Sequence, residues 1–90
     1  MSYRSPLAVK LAELDGYKCD LDDAQIAVQS ARTRRAELVM RLQKEGALPS
    51  LSPEYALAEV EYQRARTVAK QAQGRVTKAK AEVRELRLNS

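Results

Sequence analysis

Along the second half of the chain, alanine and larger apolar side chains recur at alternating spacings of three and four residues. This is the a/d spacing of a coiled coil, whose members all face one partner helix. A half-buried strand would need alternation every two residues, so the pattern predicts a long helix. The seam of this helix consists of Tyr55, Ala58, Tyr62, Ala65, Ala69, Ala72, Val76, Ala79, Val83 and Leu86.

The first half of the chain carries a matching seam with one charged member, Arg35. Between the halves, the segment EGALPSLSPE contains glycine, two prolines and two serines, which is typical of a loop. Ser5-Pro6 and Ser52-Pro53 each place a capping hydroxyl before a proline at the first helical position. The first seam consists of Leu14, Tyr17, Leu21, Ala24, Val28, Ala31, Arg35, Leu38 and Leu42. Together these signals predict one domain over 1–90, with helix 1 over about 6–45, a loop over about 46–52 and helix 2 over about 53–88.

Folding back at this loop sets the two seams against each other, with facing residue numbers that sum to about 97. Alanine at successive seam positions lets the backbones approach near the short end of the ~8–10 Å interaxial range. The predicted fold is all-α, an antiparallel two-helix coiled-coil hairpin with an alanine-rich seam. Its register predicts three side-chain pairs, which are Arg35 with Tyr62, Arg34 with Glu61 and Asp20 with Arg75.

The segment Leu14-Asp15-Gly16 weakens the first helix, because glycine is a poor helix former. Three acids that follow it, Asp20, Asp22 and Asp23, suit the first turn of a restarted helix. The sequence therefore predicts a break near 15–20 and a short extra N-terminal helix before it. In the alternative arrangement, the same segment simply extends the first helix.

Composition limits the size of the core and the environment of the chain. Ninety residues without phenylalanine or tryptophan bury a modest core, so help from a partner or from self-association is expected. Cys19 is the only cysteine and cannot close an intramolecular disulfide. The first residues lack the apolar core of a signal peptide, and no apolar run approaches the roughly 18 residues of a membrane span. The expected location is the reducing cytoplasm.

The outward positions of both helices carry no charge, although a free coiled coil normally exposes its most polar side chains there. Gly74 costs ~1 kcal/mol relative to alanine in a helix interior, which favours an external contact at that position. We interpret these positions as a stripe for a larger protein partner, or for a homodimer that forms a four-helix bundle. The alternative is that these are small neutral residues tolerated on a helix surface. The stripe consists of Cys19, Ile26, Thr33, Met40, Val60, Thr67, Gly74 and Ala81.

One edge of the hairpin brings basic residues of the two helices together, with only Glu59 to offset them. Like charges that face each other cost stability unless an anionic surface relieves them, so this edge is a candidate site for an anionic partner. A solvated charged face is the alternative at a net charge of +4 and a pI of about 9.5. The edge consists of Lys18, Arg32, Arg66, Lys80 and Arg87.

Catalysis finds little support in the sequence. Without histidine there is no default general base or imidazole ligand, and one cysteine cannot build a thiolate metal site. The segment DGYKCDLDD lacks the spacing, central glycine and terminal glutamate of a calcium loop, and no glycine-rich phosphate loop occurs. We expect no enzyme, no cofactor, no metal ion and no small-molecule substrate.

Two functions remain. The first is a non-catalytic protein-interaction module, an adaptor or an inhibitor, that uses its outward helix faces. The second is a nucleic-acid-binding hairpin whose basic edge contacts phosphates. The outline is similar to the hairpins of small RNA-binding four-helix bundles and to coiled-coil arms that contact tRNA, and its size also resembles that of virus-encoded inhibitors of host proteins. These likenesses are architectural and assign no residues.

Overall fold

The structure is a computed structural model that describes residues 5–89. It contains two long helices, α1 (Pro6–Lys44) and α2 (Pro53–Leu88), and a single 3-10 turn at Pro49–Leu51 between them. No strand occurs in the described part of the chain. The helices pack against each other as a hairpin 66 Å long, which confirms the all-helical fold.

Both long helices begin at the predicted serine caps. The Ser5 hydroxyl oxygen accepts a hydrogen bond from the backbone N–H of Ala8 at 3.1 Å. The Ser52 hydroxyl oxygen accepts one from the backbone N–H of Tyr55 at 3.3 Å. Each bond satisfies one of the backbone donors that the first turn of a helix leaves without a partner.

The chain reverses direction at Gly46, which has a φ of 71°. The N–H of Ala47 donates to the carbonyl oxygen of Leu42 at 2.9 Å, and the N–H of Gly46 donates to that of Gln43 at 3.2 Å. These two bonds form a Schellman motif, which ends a helix with a left-handed residue. Glycine adopts this conformation without the clash that a β-carbon would introduce, so the reversal depends on Gly46.

The break predicted near 15–20 is wrong, because α1 runs unbroken from Pro6 to Lys44. Leu14 is buried in a cluster with Val76 and Val83 of α2, and a continuous helix keeps this side of the seam in register. Gly16 lies on the exposed side, where its cost in a helix is ~1 kcal/mol. Packing of the seam on both sides of the glycine outweighs that cost, so no separate N-terminal helix forms.

Every buried residue lies at a seam position predicted from the spacing. The described chain contains no buried polar or charged residue. Most buried positions hold alanine or valine, so the core is a narrow strip between two helices. The buried residues are Leu14, Ala24, Ala31 and Leu42 of α1 and Ala72, Val76, Ala79 and Val83 of α2.

Two predicted side-chain pairs fix the register of the hairpin. The Arg35 guanidinium carbon lies 4.0 Å from the centroid of the Tyr62 ring, which is a cation–π distance. An Arg34 guanidinium nitrogen lies 3.5 Å from a Glu61 carboxylate oxygen. Both contacts join residues that the antiparallel pairing sets opposite each other, so the predicted register is confirmed at these pairs.

Two ion pairs join the helices near the ends of the hairpin, and neither was predicted from the sequence. Lys10 pairs with Glu82 at the open end, and Arg41 pairs with Glu54 beside the loop. Exposed pairs of this kind contribute little individually. They favour the antiparallel register, because a shift of one helix along the other would separate both.

Candidate protein and anion interfaces

The outer stripes are the outward positions of the two helices, and all eight of their residues are exposed. Ile26 is 65% exposed and Met40 is 60% exposed. Because each helix turns its seam toward the other, the two stripes lie on opposite sides of the hairpin. A single flat partner surface therefore cannot cover both. The stripes consist of Cys19, Ile26, Thr33 and Met40 on α1, and Val60, Thr67, Gly74 and Ala81 on α2.

Shallow depressions interrupt both outer stripes. On α2, Val60, Thr67 and the neighbouring Val68 line one of them, and its surface is mostly apolar. On α1, Ile26 and Thr33 line another. Each outer face therefore offers apolar surface that the fold of the hairpin leaves uncovered.

Gly74 has no role in packing within the hairpin. A β-carbon built on it would meet nothing within 4 Å, and the residue is exposed in the middle of α2. The cost of glycine in a helix, ~1 kcal/mol relative to alanine, is thus not offset by any close approach inside the hairpin. Contacts within the hairpin therefore give no physical reason for a glycine at this position.

Only some residues of the basic edge lie close to one another. Lys18, Lys80 and Arg87 line one depression near the open end of the hairpin. Arg32 lies in a second depression closer to the loop. The Arg66 guanidinium carbon lies 5.7 Å from the Tyr62 ring centroid, between these two places. Three of the five residues therefore line one depression, and Arg32 and Arg66 lie closer to the loop.

Glu59, the one acid assigned to this edge, lines the same depression as Arg32 but forms its hydrogen bonds with two other residues. Its carboxylate accepts hydrogen bonds from the Gln63 side-chain amide at 2.9 Å and from Arg35 at 2.8 Å. These bonds, that of Gln63 first, lower the pKa of Glu59 below its ordinary value. Within residues 5–89, no ion pair neutralises the remaining cations Lys18, Arg32, Arg66 and Lys80.

Acid should weaken the hairpin through two glutamates. The pKa of Glu82 is lowered by its hydrogen bond with Lys10, as that of Glu59 is by its own partners. A lowered folded-state pKa contributes stability above the unfolded value, about 4.3, and that contribution is lost as the pH falls through the folded-state value. We expect the free energy of unfolding to fall below about pH 4, measured by urea titration across pH at low protein concentration.

A matched variant isolates this effect. Replacing both glutamates, Glu59→Gln with Glu82→Gln, should flatten the acid limb of the stability curve. An acid limb as steep as that of the parent chain would show that other groups carry the pH dependence. At high pH the sign reverses for Lys10, whose pKa is raised by Glu82 and then by Glu13, so its contribution is lost only above about 10.4.

The contact between Arg35 and Tyr62 should be measurable as a coupling energy. Urea titration of Arg35→Ala, Tyr62→Ala and the double variant forms a double-mutant cycle. We expect the two substitutions to be coupled by ~0.5–1 kcal/mol, since the guanidinium lies over the ring. Additive effects would contradict a stacking role. Glu59→Ala tests the ion pair with Arg35 separately, because it leaves the ring in place.

The sequence interpretation missed the charges that flank the outer stripes. Asp22 and Asp23, which suit the first turn of a restarted helix, lie in the middle of the unbroken α1 instead. Asp20 forms no ion pair with Arg75, although the register sets them on the same edge. The heptad assignment shows which residues lie next to each outer stripe. Reading their charges from the sequence would have identified these flanking residues.

Comparison of the chain with protein-family models, with curated proteins and with solved structures finds no match. Among residues 5–89, no group of three or more histidine, cysteine, aspartate or glutamate side chains is placed to hold a metal ion. No helix in this described range is long and apolar enough to cross a membrane.

Proposed function

We propose that this chain is a cytoplasmic, non-catalytic protein-interaction module, an adaptor or an inhibitor, that binds a larger protein or a second copy of itself through its outer stripes. The observation that carries the proposal is uncharged and apolar surface where a free coiled coil normally exposes charge. Ile26, Met40 and Val60 are exposed at these positions, and a β-carbon at Gly74 would contact nothing within 4 Å.

The thin core supports the same function. Eight buried residues, four of them alanine, contribute modest hydrophobic stabilisation for a chain of this length. Further apolar burial on a partner would add stability, because any ligand that binds only the folded state shifts the folding equilibrium. A partner on the outer stripes would thus stabilise the hairpin as well as engage it.

Site-specific photocross-linking tests the proposal. A benzophenone amino acid in place of Thr67, on the stripe of α2, should form a cross-link in an extract of the cells that express the chain. The same amino acid in place of Gln73, an exposed residue of α2 outside the stripe, is the matched control and should not. Equal yields from the two positions, or none from either, would overturn the proposal. The mass of the product separates self-association from a foreign partner.

A second candidate function is phosphate binding on nucleic acid by the basic edge. It is supported by one observation, that four of the five edge residues form no ion pair with a carboxylate of the described chain and Glu59 is bound to Arg35. Seven residues along a helix advance about 10.5 Å, so the edge offers cations at intervals of one or two such steps. Spaced cations of this kind can follow a phosphate backbone.

Fluorescence anisotropy with labelled duplex and single-stranded DNA tests this second function at about 50 and 200 mM salt. Binding that weakens steeply with salt is expected, and Arg66→Glu with Lys80→Glu should abolish it. Gly74→Glu with Ala81→Glu introduces two carboxylates on the outer stripe instead and should leave most of the binding intact. No binding at the lower salt concentration would contradict nucleic-acid recognition.

A further inference from the structure

We propose that the occupant of the outer stripes is a second copy of this chain, and that α1 of one copy packs on α2 of the next. This inference rests on the proposed function and specifies the partner and the geometry. The same contact repeats from copy to copy, so the association is heterologous, and it continues until a ring closes or the array ends. Charge decides in favour of this arrangement.

The outer face of α1 is acidic. Positions next to its stripe carry four acids and one base, Lys44. All four acids are exposed, and none forms an ion pair within residues 5–89. The uncharged stripe of α1 is therefore bordered by carboxylates that form no ion pair in the hairpin, although one of them, Asp15, lines a depression together with Arg84 of the same hairpin. The acids are Asp15, Asp22, Asp23 and Glu37.

The outer face of α2 is basic. Corresponding positions next to its stripe carry four bases and one acid, Glu85. These bases are exposed, and none of them takes part in an ion pair of the described hairpin. The two outer faces thus have opposite net charges of equal size. The bases are Arg64, Lys70, Lys78 and Arg84.

A twofold dimer through either outer face is disfavoured by the same charges. Pairing α2 with α2 would set four bases against four bases, and pairing α1 with α1 would do the same with acids. Like charges opposed across an interface cost several kcal/mol and direct a protein toward other partners. Pairing α1 with α2 avoids both penalties, so the two unlike faces are each other's best partners.

One antiparallel register matches the residues of the two outer stripes and also pairs the opposite charges beside them. Setting Ile26 opposite Gly74 puts a large side chain over the position that has no side chain. The same register sets Met40 opposite Val60, with Cys19 opposite Ala81 and Thr33 opposite Thr67. In the middle of the contact Ile26 then faces a residue without a side chain, which gives Gly74 the close approach that the hairpin itself does not provide.

Charges flanking the stripes pair in this register as well. In an antiparallel contact, a residue on one side of the first stripe faces the residue on the same side of the second stripe, as equivalent heptad positions do in an antiparallel coiled coil. Three opposite-charge pairs result, and no like-charge pair arises between the helices. The pairs are Asp23 with Lys78, Glu37 with Arg64 and Asp15 with Arg84.

The contact in this register is long enough for a weak interface. Residues 12–44 of α1 face residues 56–88 of α2, which is about 50 Å of helix. A helix with its side chains is about 10 Å wide, so the contact covers roughly 500 Å² per copy, or about 1,000 Å² in total. Specific interfaces need about 1,000 Å² or more, so this contact lies at the weak end of the range. Assembly should therefore depend on concentration and on salt.

Sedimentation velocity of the full chain and two variants tests the inference. Asp23→Lys with Glu37→Lys makes the outer face of α1 basic, which blocks it against α2. Gly74→Arg fills the position opposite Ile26 and blocks the outer face of α2. A β-carbon at Gly74 meets nothing in the hairpin and the two acids are exposed, so circular dichroism should show that both variants remain folded.

The parent chain should form species larger than a dimer of 10.1 kDa monomers as its concentration rises from about 10 to about 500 μM at roughly 50 mM salt. Each variant alone should remain monomeric. An equimolar mixture should form a 1:1 heterodimer that grows no further, because one intact face of each kind remains. Lys80→Glu, a charge reversal on the basic edge, is the control and should assemble like the parent.

Other outcomes overturn the inference. If the Asp23 and Glu37 variant forms a dimer by itself, the contact is twofold and excludes the acidic face. If the parent stays monomeric throughout, no self-contact exists, and a foreign cross-link from Thr67 would then leave the proposed function standing. If the parent stays monomeric and Thr67 forms no cross-link, both the proposed function and this inference are contradicted.

Discussion

Replacing Ala72 by aspartate is expected to destabilise the hairpin by about 2–4 kcal/mol, since it introduces a charged side chain with no hydrogen-bond partner into the seam. Ala72 is 1% exposed, the most buried residue of the described core. Aspartate is too short for its carboxylate to reach water easily from this position. For a chain of this length, with a narrow core, that loss is a large fraction of the total stability.

Gly74→Asp is the matched control, because it introduces the same side chain two residues away on the exposed face of α2. Its free energy of unfolding should stay within about 0.5 kcal/mol of the parent, since aspartate is a slightly better helix former than glycine. Urea titration at low protein concentration measures both. Equal effects at the two positions would mean that α2 does not bury its seam at Ala72.

Leu14→Ala is expected to cost about 2–3 kcal/mol, from lost burial and from the cavity that remains. Leu14 is 7% exposed and packs in the cluster of Val76, Ala79 and Val83. It lies two residues before Gly16, where a break would have separated it from the main helix. A large effect therefore also reports that α1 is continuous at its N-terminal end.

Leu57→Ala is the control for this substitution. Leu57 is also a helical leucine, but it is 67% exposed and lies outside the seam. Its replacement should change the free energy of unfolding by less than about 0.5 kcal/mol. Thermal unfolding followed by circular dichroism gives the comparison. If Leu14→Ala were as mild as Leu57→Ala, the open end of the hairpin would not contribute to the core.

Helix packing was predictable because the seam is periodic over almost the whole chain. A single spacing rule gave the seam of each helix, and one pairing rule gave their register. Arg35 and Tyr62 follow from these rules alone, although neither residue is close to the other in sequence. These rules succeed where the position of a residue along the helix decides whether it is buried and which residue it faces.

Local propensity misled the interpretation at Gly16. A glycine followed by acids resembles the start of a helix, but propensity is a weak signal of about 1 kcal/mol. Leu14, Tyr17 and Leu21 continue the seam through this segment and contact the core cluster. Tertiary packing therefore keeps this segment helical. Rules based on the local sequence alone do not account for these contacts with the other helix.

Side-chain pairing was predictable only in part. The pair of Arg34 and Glu61 forms as predicted, whereas Glu59 binds Arg35 and not the basic residues of its own edge. Long charged side chains can reach several partners from one backbone position, and their choice depends on rotamers that a register does not specify. The position of a charge is thus predicted with more success than its partner.

The proposed self-association joins the outer face of α1 to the outer face of α2 of another copy. Disulfide trapping tests this contact. In a Cys19→Ser background, one variant carries Ile26→Cys and another carries Gly74→Cys. Mild oxidation of their mixture should give mainly the mixed disulfide, because these positions face each other in the proposed register, within the Cα separation of about 4.4–6.8 Å that a disulfide requires. Predominant homodisulfides from either variant alone, or a mixed product no more abundant than one formed from an edge position such as Gln73→Cys, would contradict the claim.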